Sequence, residues 1–409
     1  MTFLVVFALL VFGYGLVSAR VERVATAPII FTLVGLLAPI LLPGLVDPDF
    51  RLSHHLWVAE AGLVLLLFTD ATRTDLVRLK AIRGLPARLL GPGMLLTIGL
   101  GAVVAWLVFP QLSVWEACAL ATILSPTDAG LGQVIVQSPL VPEGVREALN
   151  VEAGLNDGLA VPFLLFFMAM MEARGGGTEA SLVQFLGQQL GFGLLLGAGI
   201  GLGGGWLLHR AKRIGWMTEG FTSHGVLALP VLCFVLSAPL GASMFIAAFV
   251  AGLAVRVTFP RAGAHAVEFA EQSGQLLNLA VFLLFGFTVG QFVSYLEPRY
   301  VVYGLLSLTV VRMLPVALAM TGAGLDRATT LFMGWFGPRG LASIVLGLVF
   351  VERELHAPGD TTMQGVILVT ILLSILLHGF TAQPGIAWYA RRLGSSPSGA
   401  PDLDDRGPR

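Results

Sequence analysis

The chain alternates between apolar stretches of 17 or more residues and short polar connections, from one end almost to the other. Stretches of that length match helices that cross the hydrocarbon core of a bilayer. They fall at 3–19, 26–46, 55–72, 89–109, 114–137, 146–171, 181–208, 220–238, 241–257, 272–293, 300–320, 328–351 and 362–387, about thirteen in all. The fifth and the twelfth carry proline–glycine interruptions in matching places. The fifth reads Leu124-Ser125-Pro126-Thr127-Asp128-Ala129-Gly130, and the twelfth Phe336-Gly337-Pro338-Arg339-Gly340. Proline and glycine interrupt the helical hydrogen-bond ladder, and the freed backbone groups are tolerable only beside a cavity or inside protein. The pattern predicts an all-α polytopic membrane protein with two broken helices meeting at mid-depth.

The segments also repeat. The first aligns with the eighth, the fourth with the eleventh, the fifth with the twelfth and the sixth with the thirteenth, at offsets of roughly 211–218 residues. Six helices return to their starting side, so a single linking helix forces the second unit upside down. The expected organisation is a transmembrane domain over 1–392, made of repeat one (1–172), the linking helix (181–208) and repeat two (220–390). A Ser/Pro/Gly-rich, then Asp/Arg-rich tail at 393–409 is expected to be disordered and cytoplasmic.

Only 12% of residues are charged against 56% hydrophobic, and the mean hydropathy of +0.84 excludes a soluble domain. The net charge of −1 conceals segregation by side. Odd-numbered connections and the tail, with Arg146 and Arg256 at the adjoining segment ends, carry 18 Lys/Arg, even-numbered ones four. Positive-inside counting therefore places the N-terminus outside and the C-terminus in the cytoplasm. The N-terminus lacks the basic start of a signal peptide and is read as a retained helix, with no soluble regulatory domain expected downstream. Cys118 and Cys233 lie in apolar stretches and read as packing residues.

Candidate chemistry lies in the sixth segment, Val151-Glu152-Ala153-Gly154-Leu155-Asn156-Asp157. A charged side chain at the bilayer centre costs at least about 2.5–3.5 kcal/mol, so such groups are rare and mark ion or proton paths. At 1.5 Å per residue, Asp157 lies roughly 16 Å deep, with Arg339 and Asp128 near the same level. Three charged groups from three helices thus converge in an apolar core, which points to a single ion site.

Those residues carry a resemblance. Ser125-Pro126-Thr127-Asp128, Glu152…Asn156-Asp157 and Gly337-Pro338-Arg339-Gly340, in this order, resemble the NhaP/NHE-type sodium–proton exchangers among the monovalent cation:proton antiporters. The resemblance implies a bundle of segments 4–6 and 11–13 moving against a dimerising scaffold. It implies that Asp157 binds cation and proton in turn, that Thr127 offers an oxygen, and that Asp128 compensates half-helix dipoles. It further implies a buried Glu152–Arg339 ion pair with Asn156 beside it. Asparagine before the key aspartate accompanies electroneutral exchange in the family. Two departures stand out: Ala153 replaces a serine whose hydroxyl helps to ligate the ion, and Phe68-Thr69-Asp70-Ala71 displaces a carboxylate by one position. Asp70 is a candidate for ion access and Arg312 for a fixed counter-charge or helix anchor.

Asp157 could be a structural carboxylate paired with an arginine, and Asp128 a helix cap. Glu60, Glu116 and His378 read as interfacial or core residues, with ion access or pH sensing as the sharper alternative. His54 and His55 suit a pH sensor by titration range, although loop exposure is the simpler reading. Gly193, Gly197, Gly201 and Gly205 form a four-residue ladder expected to pack closely, within or between chains. The expected activity is exchange of Na⁺ or Li⁺, or K⁺, for H⁺ at the inner membrane by a homodimer, without cofactor, nucleic acid or enzymatic chemistry. Rival readings are a potassium-selective antiporter, a sodium-coupled organic anion symporter and a channel. No HExxH, Gly-x-Ser-x-Gly or phosphate loop occurs.

Overall fold

A computed structural model describes residues 2–21, 25–41, 56–73, 84–174, 184–185, 187–259, 264–352 and 359–394. Among them the secondary structure is helical, without strands. In chain order, α1 is Thr2–Val21, α2 Ala27–Leu41, α3 Leu56–Arg73 and α4 Leu85–Val108. The fifth segment divides into α5, Val114–Ile123, and α6, Ala129–Val136, and is followed by α7, Glu143–Arg174. Next come α8 Gly187–Arg213, α9 Glu219–Leu240, α10 Met244–Thr258, α11 Ala264–Phe292 and α12 Pro298–Ala319. The twelfth segment divides into α13, Arg327–Trp335, and α14, Leu341–Glu352, before α15, Asp360–Gly394.

Eight of these helices are long and apolar enough to cross a membrane, and α2, α5, α10 and α14 are shorter apolar ones. The protein is an integral membrane protein. Its outer surface agrees: Leu195 is 70% exposed, Phe221 71% and Val257 71%. Apolar exposure on that scale suits lipid and not water. His54, His55 and the tail beyond residue 394 lie outside the described residues.

Tight contacts are built on missing side chains. Helices α2 and α11 lie so close that a Cβ on Gly286 would meet the Thr32 carbonyl and sit 2.9 Å from the Leu36 nitrogen. The glycine ladder of α8 faces α10 of the same chain, which settles its partner. A Cβ on Gly201 would lie 2.5 Å from the Ala251 carbonyl oxygen and 2.6 Å from Ala254 Cβ. Gly199, on another face of α8, has open space around it. Gly201→Leu should therefore destabilise by about 1–3 kcal/mol, read as an earlier thermal transition in detergent, while Gly199→Leu leaves the transition nearly unmoved.

Candidate functional site

The two interrupted segments meet at their breaks. Pro126 cannot donate to the ladder, and the backbone leaves α5 after Ile123 to restart at Ala129. Asp128 adopts an extended conformation (φ −85°, ψ 119°) at the start of α6 and accepts the Leu131 N–H at 2.8 Å through Oδ1. Its Oδ2 accepts the N–H of Leu341, the first residue of α14, at 2.6 Å. One carboxylate thus caps two half-helices, where unsatisfied N–H groups concentrate positive charge. The Asp128 N–H donates to the Pro338 carbonyl at 2.7 Å, closing the crossing from the other direction. Gly340 is required by this contact, because a Cβ there would overlap the Asp128 carboxylate.

Asp157 lies on α7 next to this crossing, half-buried, with Oδ1 lacking a hydrogen-bond partner. The preceding Asn156 is buried and donates from Nδ2 to Thr127 Oγ1 at 2.7 Å, leaving its own Oδ1 free. Small residues make room around the aspartate. Gly154 accommodates Asp70 of α3, whose Cβ would be 3.1 Å from an added methyl, and Gly158 accommodates the Phe249 ring. The structure thus brings Thr127, Asp128, Asn156, Asp157 and Asp70 into one neighbourhood. It adds Asn278 of α11, buried beside Gly130, which hydropathy conceals because it is one amide in a long apolar helix.

One cavity touches the site and a second lies beyond it. A void of about 10 Å³ is lined by Thr127, Asp128, Asn150, Ala153 and Pro338, a volume on the scale of one water. A larger one, about 410 Å³, opens one helical turn beyond Asp157 along α7, at Val161, Leu164 and Leu165, with Glu60 and Glu352 in its wall. Glu116 stands apart from both and joins two helix starts. It caps α5 and accepts the Gly359 N–H at 2.8 Å, at the beginning of α15.

The ion pair differs from expectation. Glu152 does not bond Arg339; both its oxygens are taken by Arg312, at 2.6 and 2.8 Å, with both side chains buried. Geometry explains the exchange. Arg312 projects from α12 across Gly337, where a Cβ would come 2.5 Å from its Nε, and so presents a two-pronged face to the carboxylate. Arg339, within the break and fully buried, turns back onto its own backbone and donates to the Gly337 carbonyl at 2.9 Å. Its Nε and Nη2 have no partner. Both arginines lie at similar depth in the sequence, and depth alone does not say which faces α7.

This pairing generates a prediction about stability. Arg312→Met leaves Glu152 buried and unpaired, a loss of about 3–5 kcal/mol, whereas Glu152→Gln together with Arg312→Met recovers much of it. Thermal denaturation in detergent checks both variants. A larger loss from Arg339→Met than from Arg312→Met would contradict the pairing.

Comparison with known proteins places the fold. The structure superimposes on the sodium proton antiporter MjNhaP1 of Methanocaldococcus jannaschii with a TM-score of 0.72 at 18% identity, covering 95% of this chain and 100% of that one. In sequence, the chain is 27% identical over 331 residues to a Na(+)/H(+) antiporter of Schizosaccharomyces pombe, covering 72% of this chain and 69% of that protein. It is 26% identical over 363 residues to the K(+)/H(+) antiporter NhaP2 of Shewanella oneidensis, covering 86% of this chain and only 60% of the relative's length. The family described as "Sodium/hydrogen exchanger, transmembrane" matches residues 3–388. With a match across nearly its whole length, the chain belongs to the sodium/hydrogen exchanger transmembrane family.

Proposed function

We propose that this chain is a secondary active transporter that exchanges one monovalent cation for one proton across the cell (inner) membrane, electroneutrally. The observation that carries the reading is Asp157: a carboxylate in a membrane-spanning helix with an unpartnered oxygen. Around it, Glu152 is bound to Arg312 and Asp128 to two backbone amides. A carboxylate in that setting needs either a proton or a cation to neutralise it. Relatives named as Na(+)/H(+) and K(+)/H(+) antiporters support Na⁺, Li⁺ or K⁺ as the cation.

The mechanism is competition for one group. Protonated Asp157 is neutral and holds no cation. Deprotonated, it attracts a partly dehydrated cation, to which Thr127 and Asn156 add neutral oxygens. Either filled state removes the net charge, so the bundle crosses the low-dielectric barrier, and the empty carboxylate does not. The arginines cannot take this role, since guanidinium keeps its proton. Asp128 and the Glu152–Arg312 pair hold the crossing and the adjacent helix in place, and Asp70 sits on the approach. In this reading water approaches from one side through the large cavity that begins one helical turn beyond Asp157.

The same reading has the two inverted repeats supplying one interrupted segment each and the chain working as a homodimer in the bilayer. The basic connections face the cytoplasm, which puts the N-terminus outside. In sealed proteoliposomes with an imposed proton gradient, Asp157→Asn should abolish Na⁺-, Li⁺- or K⁺-dependent proton movement, followed with an internal pH dye. The purified variant should retain the thermal transition of the parent. Exchange that persists in Asp157→Asn would overturn the assignment.

A further inference from the structure

Helix α15 passes the break between α13 and α14 with two polar side chains one turn apart, Ser374 and His378, which are 0% and 3% exposed. The backbone N–H of Arg339 donates to Ser374 Oγ at 2.5 Å. That oxygen lies 3.2 Å from His378 Nδ1, and His378 Nε2 lies 2.8 Å from the carbonyl oxygen of Trp335. Trp335 ends α13, and its ring packs on the imidazole with centroids 4.9 Å apart. Its indole N–H donates to Thr381 Oγ1 at 3.0 Å, so α15 grips the residue at two points.

The positions of the hydrogens follow from which atoms can donate. Nε2 faces the Trp335 carbonyl at 2.8 Å and Nδ1 the Ser374 carbonyl at 3.0 Å; with the ring proton on Nε2, at the shorter contact, Nδ1 of the neutral imidazole is an acceptor. Ser374 Oγ already accepts the Arg339 amide, and its own proton is free for Nδ1. The directed chain then runs from the Arg339 N–H to Ser374 Oγ, from Ser374 O–H to His378 Nδ1, and from Nε2–H to the Trp335 carbonyl. A second ring proton would make Nδ1 a donor to the Ser374 carbonyl, 3.0 Å away, and deprive the serine hydroxyl of its acceptor. The charged side chains that act on the ring electrostatically are Arg339 and Arg312, both cations.

We infer that Ser374 and His378 are positioning residues of the ion site, forming a hydrogen-bond relay that ties one lip of the α13–α14 break to the other across α15. The segment so held is the one that meets Asp128: Pro338 accepts its N–H, and Leu341 donates to its carboxylate. The relay therefore sets where the crossing stands relative to Asp157 without touching the ion. This inference rests on the proposed antiport.

Four variants in proteoliposomes test it: His378→Leu, His378→Gln, Ser374→Ala, and Ser374→Ala combined with His378→Leu. Turnover should fall about tenfold in His378→Leu with little change in the apparent cation KM. His378→Gln, which still offers an N–H toward Trp335, should retain most of it. The double variant should be no slower than the worse single one, because both interrupt the same chain. Unaltered turnover in His378→Leu, or losses that multiply in the double variant, would overturn the relay. A second readout looks at the ring itself: solid-state ¹⁵N spectra of the wild type, assigned by the signals that His378→Gln removes. A neutral ring protonated at Nε2 supports the relay at neutral pH; the other tautomer or an imidazolium overturns it. Wild-type exchange in the same vesicles separates the two ideas, since its absence would sink the antiport while the spectra still judge the relay.

Discussion

Charge inside hydrocarbon must be compensated where it stands, and the carboxylates around the break meet that constraint one by one. Arg312 closes on Glu152 with two hydrogen bonds, and Asp128 closes on the starts of α6 and α14. Asp157 is left with an oxygen that no protein group satisfies. Compensation of the neighbours is what gives that oxygen its meaning. Were Arg312 aimed at Asp157, the site would be a salt bridge and nothing would need to enter.

The backbone breaks follow from the same constraint. A continuous helix has no spare amides at mid-depth with which to compensate a carboxylate. Interrupting two helices exposes N–H groups in the interior, and Asp128 takes one from each half-helix. Glycine makes the approach feasible: Gly340 admits Asp128, Gly337 admits the Arg312 guanidinium, and Gly154 admits Asp70. Each is a place where one added methyl group would push apart the charges that define the site. Packing and electrostatics are therefore one problem in this protein.

Much of this was legible in the sequence because hydropathy reports depth. The apolar stretches located the helices, and Pro126, Pro338 and their glycines marked the breaks that separate α5 from α6 and α13 from α14. Depth also gathered Asp128, Asp157 and Arg339 at one level. What depth cannot report is direction around a helix axis. Arg312 and Arg339 were equivalent by that measure, and the true partner of Glu152 emerged only from the path of α12 over Gly337. The same blindness hid Asn278, and it left the partner of the α8 glycine ladder undetermined until α10 was seen against it. His378 looked like a core residue because its two partners are backbone and serine atoms that no motif records.

Proton and cation exclude each other on one carboxylate in the proposed exchange. Proton release on cation binding tests it most directly, measured with weakly buffered, detergent-solubilised protein while Na⁺, Li⁺ or K⁺ is titrated over a range of pH. The account predicts about one proton released per cation bound where Asp157 starts protonated, with apparent affinity weakening about tenfold per pH unit on the acid side. Cation binding without proton release, at an affinity that ignores pH, would contradict it.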